Sequence, residues 1–244
     1  MNFDVLTIMP QMFDSVFSVG IMKKAIDNEL VGITLHNLRD YVHDKHKTID
    51  DTTYGGGVGM VFKPEPIISA IEHIKKENAC TILLSAQGQL YTQEIARDLL
   101  NYNQIVLLCC RYEGCDERVA QHVVDRELSI GNYIVHGGEV AAMVIIESVS
   151  RLLPGVVGKE ESIVQESFSE FLLDYPHYTK PALCKGLRVP KVLLSGDHEK
   201  IRKWRIKKAL EKTIKNRPDL MVQTFAKTNG EKFWHYIQEI MEKE

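Results

Sequence analysis

The part of this 244-residue chain best suited to chemistry is a set of four glycine-bearing loops, each next to a short apolar run. Ser85-Ala86-Gln87-Gly88 follows Thr81-Ile82-Leu83-Leu84, and Arg111-Tyr112-Glu113-Gly114 follows Ile105 to Cys110. Ser129-Ile130-Gly131-Asn132-Tyr133 comes next, and Gly137-Gly138-Glu139 opens an apolar stretch. Glycine lets main chain approach a ligand closely and leaves its N–H and C=O groups bare. Bare backbone groups can read the edge of a base without any diagnostic side chain. Several such loops at strand ends predict one ligand held largely by backbone. Spacing excludes the two common phosphate cradles. In Tyr54-Gly55-Gly56-Gly57-Val58-Gly59, the position where a dinucleotide fingerprint needs its third glycine is Phe62, and no P-loop pattern occurs.

Other chemistry-bearing residues are weaker signals. His43-Asp44-Lys45-His46 has the residue types of a metal site, but Lys45 and Lys47 disfavour a cation and no further ligand cluster has fitting spacing. The expectation is no metal there and a basic loop suited to phosphate. Between Ile201 and Arg217 the charge is +7, against −3 for the whole chain, so the remainder is −10. A basic stripe on an acidic protein is the footprint of a polyanion partner; a solvated helix face is the plainer reading. The five cysteines form no C-x-x-C and three lie in apolar runs, which reads as reduced thiols rather than a disulfide framework. The first ten residues lack a basic n-region, and the longest apolar run, Val140 to Ile146, is too short for a membrane span. The expectation is a cytoplasmic protein with no membrane partner.

Positioning these loops requires an α/β scaffold. Strands are expected at Phe3 to Met9, Val31 to Leu35, Thr81 to Leu84 and Ile105 to Cys109. Helices are expected at Met12 to Phe17, Ile21 to Asn28, Pro64 to Lys76, Gln93 to Leu100, Asp116 to Val124 and Gly138 to Leu153. That alternation argues for a largely parallel sheet. Asn37 to Gly59 reads as one long polar loop. The division expected is an α/β domain at 1–158, a linker at 159–174 and a helical domain at 175–244. In the last, Asp197 can cap a helix with Ile206, Leu210 and Ile214 on its apolar face, stopped by Pro218. Glu231 to Met241 reads as a final amphipathic helix.

Taken in order along the chain, six strings resemble the bacterial tRNA (guanine-N1)-methyltransferase family (TrmD) of the knotted SPOUT class. They are Tyr54 to Met60, Arg111 to Gly114, Ser129 to Gly131, Ser148 to Arg151, Leu173 to Thr179 and Leu194 to His198. The resemblance implies a trefoil-knotted α/β domain, a homodimer with a shared active site, and methyl transfer from S-adenosylmethionine to N1 of the guanosine 3′ to the anticodon, position 37 of tRNA. It leaves a Mg2+ requirement open. It implies donor contacts from Ser85, Ala86, Gln87, Gly88, Cys110, Tyr112, Glu113 and Gly114, and from Ser129, Ile130, Gly131, Asn132, Tyr133, Ile134, Val135, Gly137 and Gly138. It implies tRNA contacts from His46, Asp50, Tyr54, Gly55, Gly59, Met60 and Ser167, and from His177, Ser195, Gly196, His198, Arg202 and Arg205.

Guanine N1 carries a proton and is a poor nucleophile, so its methylation needs a base at N1 and a cation or strong donor near O6. Glu166 and Arg151 match the family positions for these two roles. The family's usual base is aspartate, about 1.5 Å shorter, and its usual residues at Ala86, Cys110 and His136 are proline, glycine and a small residue. Cys110 adds bulk to the pocket floor. The rival readings are a related knotted enzyme acting on a ribose 2′-hydroxyl and a non-catalytic RNA-binding protein of the same fold.

Overall fold

The computed structural model describes residues 1–158, 166–168, 172–228, 230–231, 234–235 and 238. The chain divides into two compact units, Met1–Gly158 and Lys159–Glu244.

The first unit is built on a five-stranded parallel sheet ordered β2-β1-β6-β5-β7. The strands are β1 (Asn2–Thr7), β2 (Gly32–Asn37), β5 (Ala79–Leu90), β6 (Gln104–Cys109) and β7 (Arg126–Ser129). Every residue of β6 is buried. This is why Ile-Val-Leu-Leu-Cys reads as a continuous apolar run: a central parallel strand is covered on both faces. Alternation sends Ile105, Leu107 and Cys109 into one core and Val106 and Leu108 into the other. The first core is closed by α1 (Gly20–Asp27), α3 (Gln93–Asp98) and α5 (Glu139–Ser150), the second by α2 (Pro64–Ile74) and α4 (Glu117–His122). Thr92 and Asp116 cap α3 and α4 by accepting from Ile95 and Arg118 backbone N–H groups. The C-terminal ends of β5, β6 and β7 lie side by side, the usual ligand edge of an open α/β sheet.

Several expectations change. Met12 to Phe17 is not an α-helix: a 3-10 turn spans Pro10–Phe13 and irregular turns follow it. The 37–59 segment is not one loop. It holds a 3-10 turn at Leu38–Tyr41, and β3 (Asp50–Thr52) pairs antiparallel with β4 (Met60–Phe62), leaving only 53–59 as the tip. Three-residue strands with the sequence Asp-Asp-Thr carry no apolar alternation to read. β5 runs beyond Leu84 to Leu90, and its pairing with β7 shifts register between Leu84 and Gln89. The predicted Ser85–Gly88 loop is therefore an irregularity within a strand.

In the second unit β8 (Leu183–Cys184) pairs antiparallel with β9 (Leu187–Arg188), and α6 (His198–Asn216) is capped by Asp197, which accepts from Lys200 N–H. Its buried residues are Ala209, Leu210 and Thr213, whereas Ile214 is 56% exposed. The buried face is thus rotated toward Thr213, whose Oγ1 donates to Ala209 O at 2.7 Å and accepts from Leu173 N–H at 2.9 Å. Pro218 both ends α6 and starts α7 (Pro218–Thr228), a helix not expected from the sequence. Proline is well tolerated at a first helical position, where its missing N–H costs nothing. Most of the amphipathic helix expected from Glu231 to Met241 lies outside the described residues.

Candidate donor and RNA-binding sites

A cavity of about 320 Å³ opens at the C-terminal ends of β5, β6 and β7. That volume is at the lower end of small-ligand pockets, about 300–1,000 Å³. Three of the four glycine loops and the irregular end of β5 meet there. Ser85, Ala86 and Gln87 form one wall, and Cys110, Tyr112, Glu113 and Gly114 a second. Ser129, Ile130 and Gly131, then Tyr133, Ile134 and Val135, and finally Gly137 and Gly138 complete it. Of the residues expected at the donor, Gly88 and Asn132 alone do not line it. Gly88 acts between strands instead. A Cβ there would meet the Glu127 carbonyl carbon and the Leu128 nitrogen at 2.5 Å, so its absence lets β5 and β7 close up.

The remaining loop glycines are held for comparable reasons. A Cβ on Gly138 would sit 2.8 Å from Cys109 Cα, so the start of α5 presses directly on β6. Gly138 N–H donates to Cys110 O at 3.1 Å, and Arg111 forms an antiparallel bridge with Gly137. The second and fourth loops are therefore stitched together by main chain. Burial, with the Cys115 thiol beside it, pushes the Cys110 thiol well above its ordinary pKa. It is a neutral, unreactive patch of pocket floor.

The electrostatics of the wall favour a cation. Glu113, Glu117 and Glu127 line the cavity, and among the described residues Arg111 is its only lysine or arginine. Arg111 Nε donates to Glu139 Oε1 at 3.1 Å. Sequence reasoning did not mark Glu117, Glu127 or Ala141 as lining residues. Glu127 sits in β7, a four-residue strand with no clear pattern of its own, and Ala141 is one of several small apolar residues in α5.

The hairpin β3–β4 is fastened to this cavity. Glu113 N–H donates to Met60 O at 3.1 Å, Phe62 N–H to Gly114 O at 3.0 Å, and Asp116 N–H to Phe62 O at 3.0 Å. Gly59, at φ +101°, lies against Glu113, where a Cβ would come within 2.5 Å of the Glu113 side chain. The hairpin thus carries Asp50, Gly59 and Met60 on a base tied to the second loop, with Tyr54 and Gly55 at the tip and Tyr54 fully exposed. His46 stands apart in an exposed turn organised by Asp44. Among the described residues no three His, Cys, Asp or Glu come together to hold a metal ion.

Arg151 closes α5 as its C-cap residue, half-buried. Glu166, also half-buried, lies in the second unit just before Ser167, whose Oγ accepts from Asp174 N–H at 2.9 Å. Asp174 Oδ2 in turn meets His177 Nε2 at 2.7 Å. The Arg205 guanidinium stacks over Tyr175, 4.8 Å from the ring centroid, and that ring packs on His177. Ser195 and Gly196, the latter at φ +74°, make the turn that delivers His198 to the start of α6. The basic stripe is partly neutralised: Lys203 pairs with Glu199, Lys208 with Glu211 and Arg217 with Asp219. Arg202 is exposed on the same helix.

A family model described as "tRNA (Guanine-1)-methyltransferase TrmD" matches residues 1–223. The chain belongs to the tRNA (guanine-1)-methyltransferase family. It is 52% identical over 224 residues to the tRNA (guanine-N(1)-)-methyltransferase of Dictyoglomus turgidum, covering 92% of this chain and 91% of that one. It is 49% identical over 223 residues to the protein so named in Dehalococcoides mccartyi, covering 90% of each. With the one in Anoxybacillus flavithermus it shares 47% over 237 residues, 96% of each chain. The family match spans the sheet, the four glycine loops, α6 and the start of α7. No helix among the described residues is long and apolar enough to cross a membrane.

Proposed function

We propose that this protein transfers a methyl group from S-adenosylmethionine to N1 of the guanosine at position 37 of tRNA, next to the anticodon. The observation that carries the reading is the acidic cavity at the strand ends, lined by the glycine loops, in a chain of this family. When bound there, the donor supplies an activated methyl on a positively charged sulfur. The backbone of Ser85 to Gln87 and Gly137 to Gly138 orients it, and the neutral Cys110 floor offers no competing nucleophile.

Glu166 takes the N1 proton, and the Arg151 guanidinium stabilises the charge that then builds on O6. The β3–β4 hairpin with Tyr54 meets the anticodon loop, and Arg202, Arg205 and His177 meet its phosphates. The working unit is a homodimer with a shared site. Ile134 at 83% exposure, with Val140 and Val144 one turn apart on α5, supplies apolar surface consistent with a partner. In this reading 1–158 is the knotted donor domain, 159–174 the linker carrying the base, and 175–244 the tRNA-binding domain. The protein works in the cytoplasm, where tRNA is.

The test is methyl transfer from labelled donor to unmodified tRNA followed by nucleoside analysis. The expected product is 1-methylguanosine. A 2′-O-methylated nucleoside would move the protein to another reaction, and no transfer with intact tRNA binding would make it a binding protein.

A further inference from the structure

Behind the cavity wall stands a carboxylate that the proposed chemistry does not use. Glu139, the first residue of α5, is 0% exposed. Its Oε1 accepts two hydrogen bonds, from Thr7 Oγ1 at 2.8 Å and from Arg111 Nε at 3.1 Å. Its Oε2 has no partner, and lies where a Cβ on Gly137 would be only 2.5 Å away. Burying a carboxylate with one oxygen unsatisfied is expensive. What it faces is Arg111, whose side chain is 15% exposed and lines the cavity. Without Glu139, Arg111 would present a full positive charge to the ligand.

That charge matters only if the ligand is charged. On the proposed reading, on which this inference rests, the donor carries a sulfonium and the product after transfer carries a neutral thioether. We propose that Glu139 is a positioning residue which, acting through Arg111, sets the charge of the cavity wall so that the site favours the sulfonium donor over its demethylated product. Glu113, Glu117 and Glu127 on the same wall already attract a cation. Glu139 keeps Arg111 from cancelling that attraction, while the pair holds the second and fourth loops together. A purely structural role would weaken donor and product alike; a charge role separates them.

The experiment is calorimetric binding of S-adenosylmethionine and S-adenosylhomocysteine to the full-length protein and three variants. Glu139→Gln preserves shape, since its amide oxygen can accept from both Thr7 and Arg111 while the charge is lost. It should reduce the preference for the donor over the product on the order of tenfold, the size expected for one unit charge acting across a partly buried wall. Arg111→Gln should shift the preference the other way, and the double variant should return it close to the parent. Equal weakening of both ligands in folded Glu139→Gln, or no change in preference, overturns the proposal. If Glu139→Gln does not fold, Arg111→Gln decides, and a preference unchanged or shifted toward the product overturns it. A parent protein that binds neither ligand sinks the donor-site reading instead.

Discussion

The two units build their candidate sites by different means. In the first, the cavity is formed where glycine loops meet the irregular end of β5, and what surrounds it is buried: Gly138 against Cys109, Gly88 against β7, Glu139 behind Arg111. In the second, the candidate RNA face is made of side chains on a solvated helix, some already engaged with Glu199, Glu211 and Asp219. A backbone cradle has one geometry, fixed by the sheet, and fails when an atom is added. A basic face has many geometries and weakens by increments. Changes in the first unit should therefore act in steps and changes in the second by degrees, with the proposed chemistry depending on one residue from each.

The most severe test of that contrast is Glu166→Gln. Removing the proposed base should slow single-turnover methyl transfer by at least about a hundredfold, with donor and tRNA affinities little changed. Glu166→Asp, the family's usual residue, should also be slower if the connection is set for the longer side chain, since a misplacement near 1 Å costs on the order of a hundredfold. A near-normal rate in Glu166→Gln would move the base elsewhere, with Asp174 next in line; that residue already accepts from Tyr175 N–H and meets His177.

Next in size is the basic face. Replacing Arg202 and Arg205 together with alanine should weaken tRNA binding and flatten its salt dependence, by roughly 0.7 in the log–log slope for each phosphate no longer neutralised. An unchanged slope in a titration from low to high salt would return the stripe to an ordinary solvated face.

Gly138→Ala probes the other mode. The added methyl has no room against Cys109 Cα, so thermal unfolding should show a loss of about 1–3 kcal/mol, with donor affinity falling as α5 shifts. A variant as stable as the parent would mean that the packing of α5 on β6 has slack.

The smallest effect concerns the far end of the sheet. Asp4 is buried, meets His36 Nε2 at 2.7 Å and accepts from Gln104 Nε2 at 2.7 Å. Burial opposes its ionisation, but the contacts with His36 and Gln104 prevail and hold its carboxyl below the ordinary range. A carboxyl with a lowered folded pKa stabilises above its unfolded value and loses that stabilisation as pH falls through the folded one. Asp4→Asn should therefore cost about 1–2 kcal/mol at pH 7, and the gap to the parent should close below about pH 4. A gap that persists in acid would show that shape rather than charge is at stake.

Much of the first unit was legible because its signals are local. Central strands buried on both faces must be apolar throughout, so Ile105 to Cys109 declares itself; Pro64 declares a helix start by the group it lacks, as Asp197 does in the second unit by the group it supplies. The glycine loops were readable because close approach of backbone needs glycine whatever the ligand is. What was missed lacked such a marker. β3 and β4 are three residues each and polar in part, and the hairpin exists because Phe62 and Met60 pair with the second loop. α7 was hidden by Pro218, which signals an end to one helix and a beginning to another with the same chemistry.

Periodicity, glycine placement and six ordered strings are properties of the chain as written, and they were enough to mark four of the five strands of the main sheet, three of the four glycine loops and a resemblance to the family. They could not show that Gly88 closes two strands while Gly137 and Gly138 line a cavity. Nor could they show that Arg111 is neutralised by Glu139, 28 residues away, and by that route linked to Thr7, 132 residues from Glu139. Those facts appear only in the assembled fold, and the reason is physical. Local conformation follows from each residue's own sterics and hydrogen-bonding groups, whereas contact and charge compensation depend on which atoms the parallel sheet brings together, and a pair that meets only across that sheet leaves no periodic trace along the chain.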